Sequence, residues 1–307
     1  MEVVDLSKYA SLADRTNPNS DLPARGERTT WNSLISFFRR NPIGLLGAII
    51  ILLLGMTAAL ADVITPYRDV DMPGRRLVPP GEEYFLGTDE LGRDMFSRIV
   101  YGARVSLWVG IVCVSISLVV GGTLGILSGY VGGRVDSLIM GTMDVVFAFP
   151  GLIMALVIAS VLGPSLTNAM IAIGIVLIPV FVRTGRAPVL AVKEMEYIQA
   201  ARCTGARQFW IVLKHILPNI ATPLVVQATI TLSAAILIEA SLSFLGLGTQ
   251  PPTPSWGTML GSGRRFLETA PWVAIFPGMA IMITVLGFNL LGDGLRDYLD
   301  PRYRFQT

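Results

Sequence analysis

Charged residues are scarce in this chain of 307 residues. They make up 15% of it, whereas soluble domains usually carry about 25%. Hydrophobic residues account for 52%, so the chain has too few polar residues to cover the surface of a single soluble core. The net charge of +2 is too small to gather polyanions around the protein. This composition argues against a soluble enzyme, a disordered protein and a nucleic-acid-binding protein.

Side chains that carry chemistry are also few. Two cysteines and one histidine are too few for a disulfide framework or a Cys/His metal cluster, so we expect no metal site. Lysine occurs only at Lys8, Lys193 and Lys214, and no glycine precedes any of them. Because a nucleotide-binding P-loop needs a Gly-Lys pair, we expect no cofactor and no ATP site in this chain.

Long stretches without charge are the strongest feature of the sequence. The gap between Arg40 and Asp62 holds 21 residues, and the gap between Arg104 and Arg134 holds 29. A helix needs roughly 20 apolar residues to cross the hydrocarbon core of a bilayer. The sequence therefore predicts an all-α integral membrane protein. Its six predicted transmembrane helices cover residues 43–64, 105–130, 137–162, 168–186, 220–242 and 272–291.

Lysine and arginine are distributed unevenly around these spans. If the N-terminus is cytoplasmic, 16 of the 24 lie in cytoplasmic segments and 8 lie outside. Cytoplasmic loops usually carry this excess, so we expect both termini in the cytoplasm. Residues 1–42 are predicted to be a cytoplasmic tail whose first 30 residues are polar and flexible. Residues 296–307 are predicted to be a second cytoplasmic tail. The first apolar run is too long for the core of a cleavable signal peptide.

Residues 188–218 form the longest internal cytoplasmic segment. Apolar residues recur at helical spacing up to position 201, and Gly205 suits a left-handed residue after a helix end. A second helical stretch is predicted to follow and to end near Pro218. Small residues at this bend let another backbone approach closely. The residues that we assign to the segment's docking role are Gln199, Ala200, Ala201, Arg202, Gly205, Ala206, Arg207 and Pro218.

Two interpretations of this segment are open. In the first, it docks a partner: Arg202 and Arg207 bond acidic groups or carbonyls of that partner, while Phe209 and Trp210 anchor the segment to its own transmembrane helices. In the second, it is an interfacial amphipathic helix that packs only on lipid and on the neighbouring spans.

The letters QAARCTG at residues 199–205, with a Leu-Pro pair at 217–218, resemble the EAA signature of ABC importer permeases. Two positions depart from that pattern: Gln199 stands where the family has Glu, and His215 stands where the general pattern has Ile. In that family this loop is the coupling helix, which sits in a groove of the ATPase subunit. The resemblance therefore implies the docking interpretation.

Three further stretches indicate which branch of the ABC importer permeases the chain resembles. The letters LGTDELGRDMFSRIVYGARVSL at 86–107, and residues 239–260 and 288–302, are similar to signatures of the dipeptide/oligopeptide/nickel-type permeases. The resemblance is to the DppC/OppC-like subunit and implies the type I ABC importer permease fold. It also implies a first transmembrane helix with an extracytoplasmic loop over 43–103, and a permease core over 104–295.

The resemblance implies partners and a cargo. A DppB/OppB-type permease subunit would complete the pathway in a bacterial plasma membrane. Two ABC ATPase subunits would bind ATP and Mg, and an extracytoplasmic binding protein would deliver di- or oligopeptides. Nickel, glutathione and opines are alternative cargoes. The alternative of a different class is a secondary transporter without an ATPase. An intramembrane hydrolase is disfavoured, because the lone histidine lies in the loop.

Two charges lie within predicted spans, Asp144 in the third and Glu239 near the outer end of the fifth. Because a charge in the bilayer costs at least about 2.5 kcal/mol, both are candidates for the wall of the translocation pathway. Phe147 and Phe149, beside the helix-breaking Pro150, are further candidates. A packing contact is the alternative for either charge, and snorkelling to the interface is another for Glu239.

Three features outside these sites carry weaker predictions. Mixed charges over 65–104 indicate a surface that receives the binding protein or covers the partner subunit. Proline-rich residues 250–256 predict a compact loop, with Trp256 as an anchor at the membrane interface. Glycines spaced four apart, such as Gly125 and Gly129, predict close helix packing.

Overall fold

A computed structural model describes residues 41–299 of the chain. The predicted N-terminal tail lies outside the described residues up to position 40, and so does the C-terminal tail from position 300 onward. The described residues fold into helices joined by short turns and two longer loops. In chain order the helices are α1 (Pro42–Ala59), α2 (Ala61–Ile64), α3 (Met95–Val131), α4 (Gly133–Phe147), α5 (Gly151–Leu162), α6 (Leu166–Val192), α7 (Glu196–Cys203), α8 (Gln208–Phe244), α9 (Trp256–Gly263) and α10 (Trp272–Leu299).

Five helices of the described region are long and apolar enough to cross a membrane: α1, α3, α6, α8 and α10. They contain four of the six predicted spans, and the predicted span 43–64 is divided at Leu60 into α1 and the short helix α2. The remaining span, 137–162, is two helices, α4 and α5, that meet at an angle of 90°. Pro150 precedes α5 with φ of −55° and ψ of 125°, outside the helical region, and a proline cannot continue the hydrogen-bond ladder of a helix. The described chain therefore has five spanning helices, or six if this bent pair is one span.

The long helices extend further than predicted into the segment 188–218. Helix α6 runs to Val192 and α8 begins at Gln208, so only residues 193–207 lie outside the long helices. The predicted end near Pro218 is wrong, because Pro218 lies inside α8. A π-helical turn, Val212–Ile216, ends two residues before Pro218. Such wide turns accommodate a proline, which has no N–H to donate.

Helices α3 and α6 pack closely along a row of glycines. A Cβ atom added at Gly121 would lie 2.6 Å from the carbonyl oxygen of Ile178, and one at Gly125 would lie 2.6 Å from that of Val182. Only a residue without a side chain allows the two backbones to approach so closely. The predicted close packing at these glycines is confirmed.

Trp256 is buried near the first turns of α3. Its indole Nε1 donates to the carbonyl oxygen of Ile99 over 3.0 Å, and its ring lies against Gly102. The side chain belongs to a cluster of buried apolar residues that includes Met95 and Val273. The prediction of a membrane-interface anchor is therefore wrong: Trp256 joins α9 to α3 inside the protein.

Four charged residues of the 86–107 signature, Asp89, Arg93, Asp94 and Arg98, are also buried. Asp89 accepts hydrogen bonds from the backbone and the Nε of Arg93, at 2.9 and 2.7 Å, and Arg98 lies buried beside it. Asp94 caps the start of α3 by accepting from the backbone N–H of Ser97. These charges stabilise the fold of the loop before α3, and they are not exposed to a binding protein.

Candidate functional site

The backbone between α7 and α8 makes a sharp bend. Gly205 adopts a left-handed conformation with φ of +80°, as the sequence predicts. Its N–H donates to the carbonyl of Arg202 over 3.0 Å, and the N–H of Ala206 donates to the carbonyl of Ala201 over 3.1 Å. These two bonds form the Schellman motif, which closes a helix C-terminus and reverses the chain. We call residues 193–210 the elbow.

Isoleucines anchor the elbow to the transmembrane helices. Ile198 of α7 and Ile211 of α8 are buried, and both belong to the core cluster built largely from α3, α6 and α8. Phe209 and Trp210 face the other way, with 70% and 61% of their surface exposed. The prediction that these two aromatic residues anchor the segment is wrong. They instead form an outward-facing apolar pair next to the bend.

Two cations of the elbow hold the C-terminal turn of α3. The Nζ of Lys193 donates to the carbonyl oxygen of Gly129 over 2.9 Å. The guanidinium of Arg202 stacks over the ring of Tyr130, with 5.4 Å between its Cζ and the ring centroid. A cation at a helix C-terminus is favoured by the helix dipole. Arg202, assigned to a partner from the sequence, thus contacts its own chain.

Gln199 makes a bond that glutamate cannot make. Its Nε2 donates to the carbonyl oxygen of Glu194 over 3.2 Å and closes the turn that leads into α7. A glutamate carboxylate has no N–H to donate. The departure from the EAA pattern therefore adds an internal tie to the elbow. On the other side of α7, the hydroxyl of Tyr197 accepts from the amide of Asn219 over 3.2 Å.

The elbow brings together most of the residues assigned to docking. Gln199, Ala200, Gly205, Ala206 and Arg207 are exposed, while Ala201 is half-buried. A Cβ atom at Gly205 would have no neighbour within 4 Å in the described chain, so the surface over the bend is open. Pro218 is the exception, because it lies further along α8 than the bend.

An ion pair joins the two transmembrane elements α4 and α6. The guanidinium of Arg183 donates to Oδ1 of Asp144 over 2.7 Å, and its Cζ lies 4.1 Å from the ring centroid of Phe147. Phe149 is exposed near the bend between α4 and α5. The structure thus places three of the four pathway candidates on or beside an exposed surface, and adds Arg183 to them.

A second pair ties the same two helices. Arg186 donates to both carboxylate oxygens of Asp136 over 2.6 Å each, the bidentate geometry that Arg and carboxylate favour. Neither arginine was assigned a role from the sequence. The available signal was one acidic residue just before the third predicted span, a second within it, and two arginines at the end of the fourth span. Their pairing depends on the two helices lying side by side.

Glu239 is buried near the C-terminal end of α8. Its Oε1 accepts from the hydroxyls of Ser243, Ser255 and Thr249 over 2.7, 3.2 and 3.3 Å. These bonds tie α8 to the proline-rich loop and to the first residue before α9. Snorkelling to the interface is therefore wrong for Glu239, and the side chain lies on no surface of the chain.

Comparisons with known proteins agree with one another. Residues 121–305 match the family described as binding-protein-dependent transport system inner membrane component. Residues 29–80 match the N-terminal TM domain of oligopeptide transport permease C. The dipeptide transport system permease protein DppC of Alkalihalophilus pseudofirmus is 46% identical over 303 residues, 97% of this chain and 99% of that protein.

Two further likenesses extend the comparison. The glutathione transport system permease protein GsiD of Pectobacterium atrosepticum is 43% identical over 282 residues, 90% of this chain and 93% of that protein. A solved inward-facing structure of the MetNI methionine ABC transporter matches with a TM-score of 0.55 and 20% identity. It covers 67% of this chain and 98% of the solved chain. At that identity the likeness is one of fold alone.

Proposed function

Because the chain belongs to the family of inner-membrane components of binding-protein-dependent transport systems, we propose that it forms half of the translocation pathway of an ATP-driven peptide importer. The family makes it a multi-pass membrane transport subunit and not an enzyme, and its fold is that of an ABC importer permease. Peptide cargo is supported by the dipeptide permease that is 46% identical over nearly the whole chain.

The coupling role rests on one observation: one face of the elbow is exposed, and the opposite face is bound to the transmembrane helices. An exposed aromatic pair beside exposed alanines and an unobstructed glycine is a surface suited to close contact with another protein. The buried Ile198 and Ile211 and the bonds from Lys193 hold the same segment to α3, α6 and α8. A movement imposed on the elbow would therefore reach the transmembrane helices.

The proposed complex contains this chain, a DppB/OppB-type permease, two ABC ATPase subunits and an extracytoplasmic binding protein. The ATPase subunits bind ATP and Mg, and their closure displaces the elbow. A partner shifts the populations of two conformational states only if it contacts them differently. In the proposed complex, the groove of the ATPase subunit makes these different contacts with the elbow. Both termini lie in the cytoplasm, together with the elbow. Cargo then passes between inward- and outward-facing states of the two permeases.

We assign the pathway wall of this subunit to Asp144, Phe147 and Phe149, because all three are exposed in the single chain. Glu239 is left out of the wall, since it is buried among hydroxyl groups. Its role is to fix the loop between α8 and α9.

Co-purification tests the proposed complex. A tagged copy of this chain, expressed with its neighbouring subunits, is expected to carry a second permease and two ATPases through affinity and size-exclusion steps. In proteoliposomes, the complex with its binding protein is expected to accumulate dipeptides only when ATP is supplied. Uptake by this chain alone, without ATPases, would contradict the proposal and favour a secondary transporter.

Glutathione is the second candidate cargo, because the 43% identical relative is a glutathione permease. Competition decides between the two. An excess of unlabelled dipeptide is expected to suppress uptake of a labelled dipeptide, and glutathione at the same concentration is expected to leave it unchanged. Uptake of labelled glutathione that unlabelled glutathione suppresses and unlabelled dipeptide does not would assign glutathione.

A further inference from the structure

Residues 128–130, in the last turn of α3, contact both α4 and the elbow. The hydroxyl of Ser128 donates to Oδ1 of Asp136 in α4. At the next two positions, the elbow contributes a hydrogen bond from Lys193 and a stacking contact from Arg202. This turn of α3 is therefore the place where a displacement of the elbow would reach α4.

Asp136 joins α4 to two helices at once. Besides the bond from Ser128 of α3, its carboxylate accepts two hydrogen bonds from Arg186 of α6, over 2.6 Å each. The Asp136 and Arg186 side chains are only 19% and 29% accessible, and shielding from water strengthens the attraction between the two charges. Since α3 and α6 pack backbone to backbone at Gly121 and Gly125, Asp136 ties α4 to one closely packed pair of helices.

The backbone between α3 and α4 is a poor connection for transmitting a movement. It runs through Gly132 and Gly133, with φ of +71° and +56°, and glycine is the residue with the greatest conformational freedom. Met143 is the one residue of α4 that is buried. The bond between Asp144 and Arg183 is a single hydrogen bond between exposed side chains. The bonds of Asp136 are therefore needed to keep the beginning of α4 in place.

We infer that Asp136 is a positioning residue for ATP-driven transport, which makes α4 follow the displacement of the elbow. This inference rests on the proposed function and names the link between its docking surface and its pathway wall. Because α4 carries Asp144 and Phe147, a movement of α4 changes the shape of that wall. Asp136 acts through its bonds to Ser128 and Arg186, and not by binding cargo.

The first test measures the number of peptides that the complete complex, with its binding protein, transports per ATP hydrolysed in proteoliposomes. Asp136→Asn removes the charge, whereas Ser128→Ala removes the bond to α3 and keeps the pair with Arg186. Both variants are expected to assemble and to hydrolyse ATP. Their transport ratio is expected to fall about fivefold or more, because each loses a bond that involves a charged group.

The chain offers a matched control for each variant. The hydroxyl of Ser137 donates to the carbonyl oxygen of Gly133 in its own helix, over 3.2 Å, so Ser137→Ala alters α4 without altering its bonds to α3 and α6. Asp62 and Arg104 form an exposed ion pair elsewhere, 2.8 Å apart, which Asp62→Asn removes. Both controls are expected to keep the wild-type transport ratio.

The second test measures whether α4 moves together with α6. Spin labels are introduced through an unnatural amino acid at Leu138 of α4 and Ile171 of α6, which are 72% and 39% exposed. Double electron–electron resonance then reports their separation in the complex without nucleotide and with a trapped ATP analogue. The wild-type distance distribution is expected to be narrow and the same in both states. Asp136→Asn and Ser128→Ala are expected to broaden it.

Three results would overturn the inference. The first is a wild-type transport ratio in both variants. The second is a wild-type label distance that changes with nucleotide, which would show that α4 moves independently of α6. The third is failure of Asp136→Asn to assemble while Ser128→Ala transports normally, which would make Asp136 a packing contact alone. In each case ATP-dependent uptake by the wild-type complex would still stand, so failure of the inference is distinct from failure of the proposed function.

Discussion

Lys193 donates its ammonium group to the carbonyl oxygen of Gly129, 2.9 Å away, and so ties the beginning of the elbow to the last turn of α3. The two residues are 64 positions apart in the chain. The bond joins the proposed docking surface to the helix that packs along α6. It is a direct polar connection between the elbow and the transmembrane bundle, and a single substitution can test it.

Replacing Lys193 by methionine removes this bond but keeps most of the apolar stem. A hydrogen bond to a charged group contributes about 1.5–3 kcal/mol, so we expect the elbow to transmit movement less efficiently. The number of peptides transported per ATP hydrolysed, measured in proteoliposomes, is expected to fall about fivefold or more. Lys214→Met, at an exposed lysine of the π-helical turn, is the control and is expected to leave this ratio unchanged. Equal effects of the two variants would contradict the coupling role of Lys193.

Substitutions at Gly205 separate the shape of the bend from its contact with a partner. Asparagine and aspartate tolerate the left-handed conformation better than other side chains, and the space around the Cβ is open within the chain. We expect Gly205→Asn and Gly205→Asp to assemble with a thermal midpoint near that of wild type. Both are expected to lose ATP-driven uptake, because the added side chain points into the docked ATPase. Uptake at the normal rate by either variant would show that this surface is not in close contact.

A methyl group at Gly125 would meet the backbone of α6. The added Cβ would lie 2.6 Å from the carbonyl oxygen of Val182, and overpacking of this kind costs about 1–3 kcal/mol. Gly125→Ala is expected to lower the thermal midpoint of the purified complex. Gly55→Ala, at a position with no neighbour within 4 Å, is the matched control and is expected to leave the midpoint unchanged. A Gly125→Ala protein as stable as this control would contradict the close packing of α3 and α6.

Two variants at Glu239 test its role as an internal acceptor. Glutamine keeps a carbonyl oxygen for the hydroxyls of Ser243, Ser255 and Thr249, whereas alanine leaves these buried donors without their partner. Each unsatisfied buried group costs about 1–3 kcal/mol. Thermal unfolding is therefore expected to show a near-normal midpoint for Glu239→Gln and a clearly lower one for Glu239→Ala. If both variants unfold at the same reduced temperature, the negative charge itself is required at this position.

Sequence reasoning succeeded for features whose physical cause lies entirely within one short segment of the chain. The thickness of the bilayer sets the length of an uncharged run, so five spanning helices could be predicted from the gaps between charges. The left-handed bend at Gly205 depends on one residue without a Cβ after a short helix. It could also be predicted.

Tertiary structure decided which face of each element is covered. Phe209, Trp210 and Ile211 are adjacent in the chain, and nothing local determines that the isoleucine packs inward while the aromatic residues stay exposed. The same holds for Glu239, whose burial depends on Ser255 and Thr249 folding back over α8. Asp144 and Arg183 are 39 positions apart, and their pairing follows from α4 lying against α6. Hydrophobicity and backbone preference are properties of single residues and short segments, whereas burial and ion pairing are properties of neighbours that only the packed chain brings together.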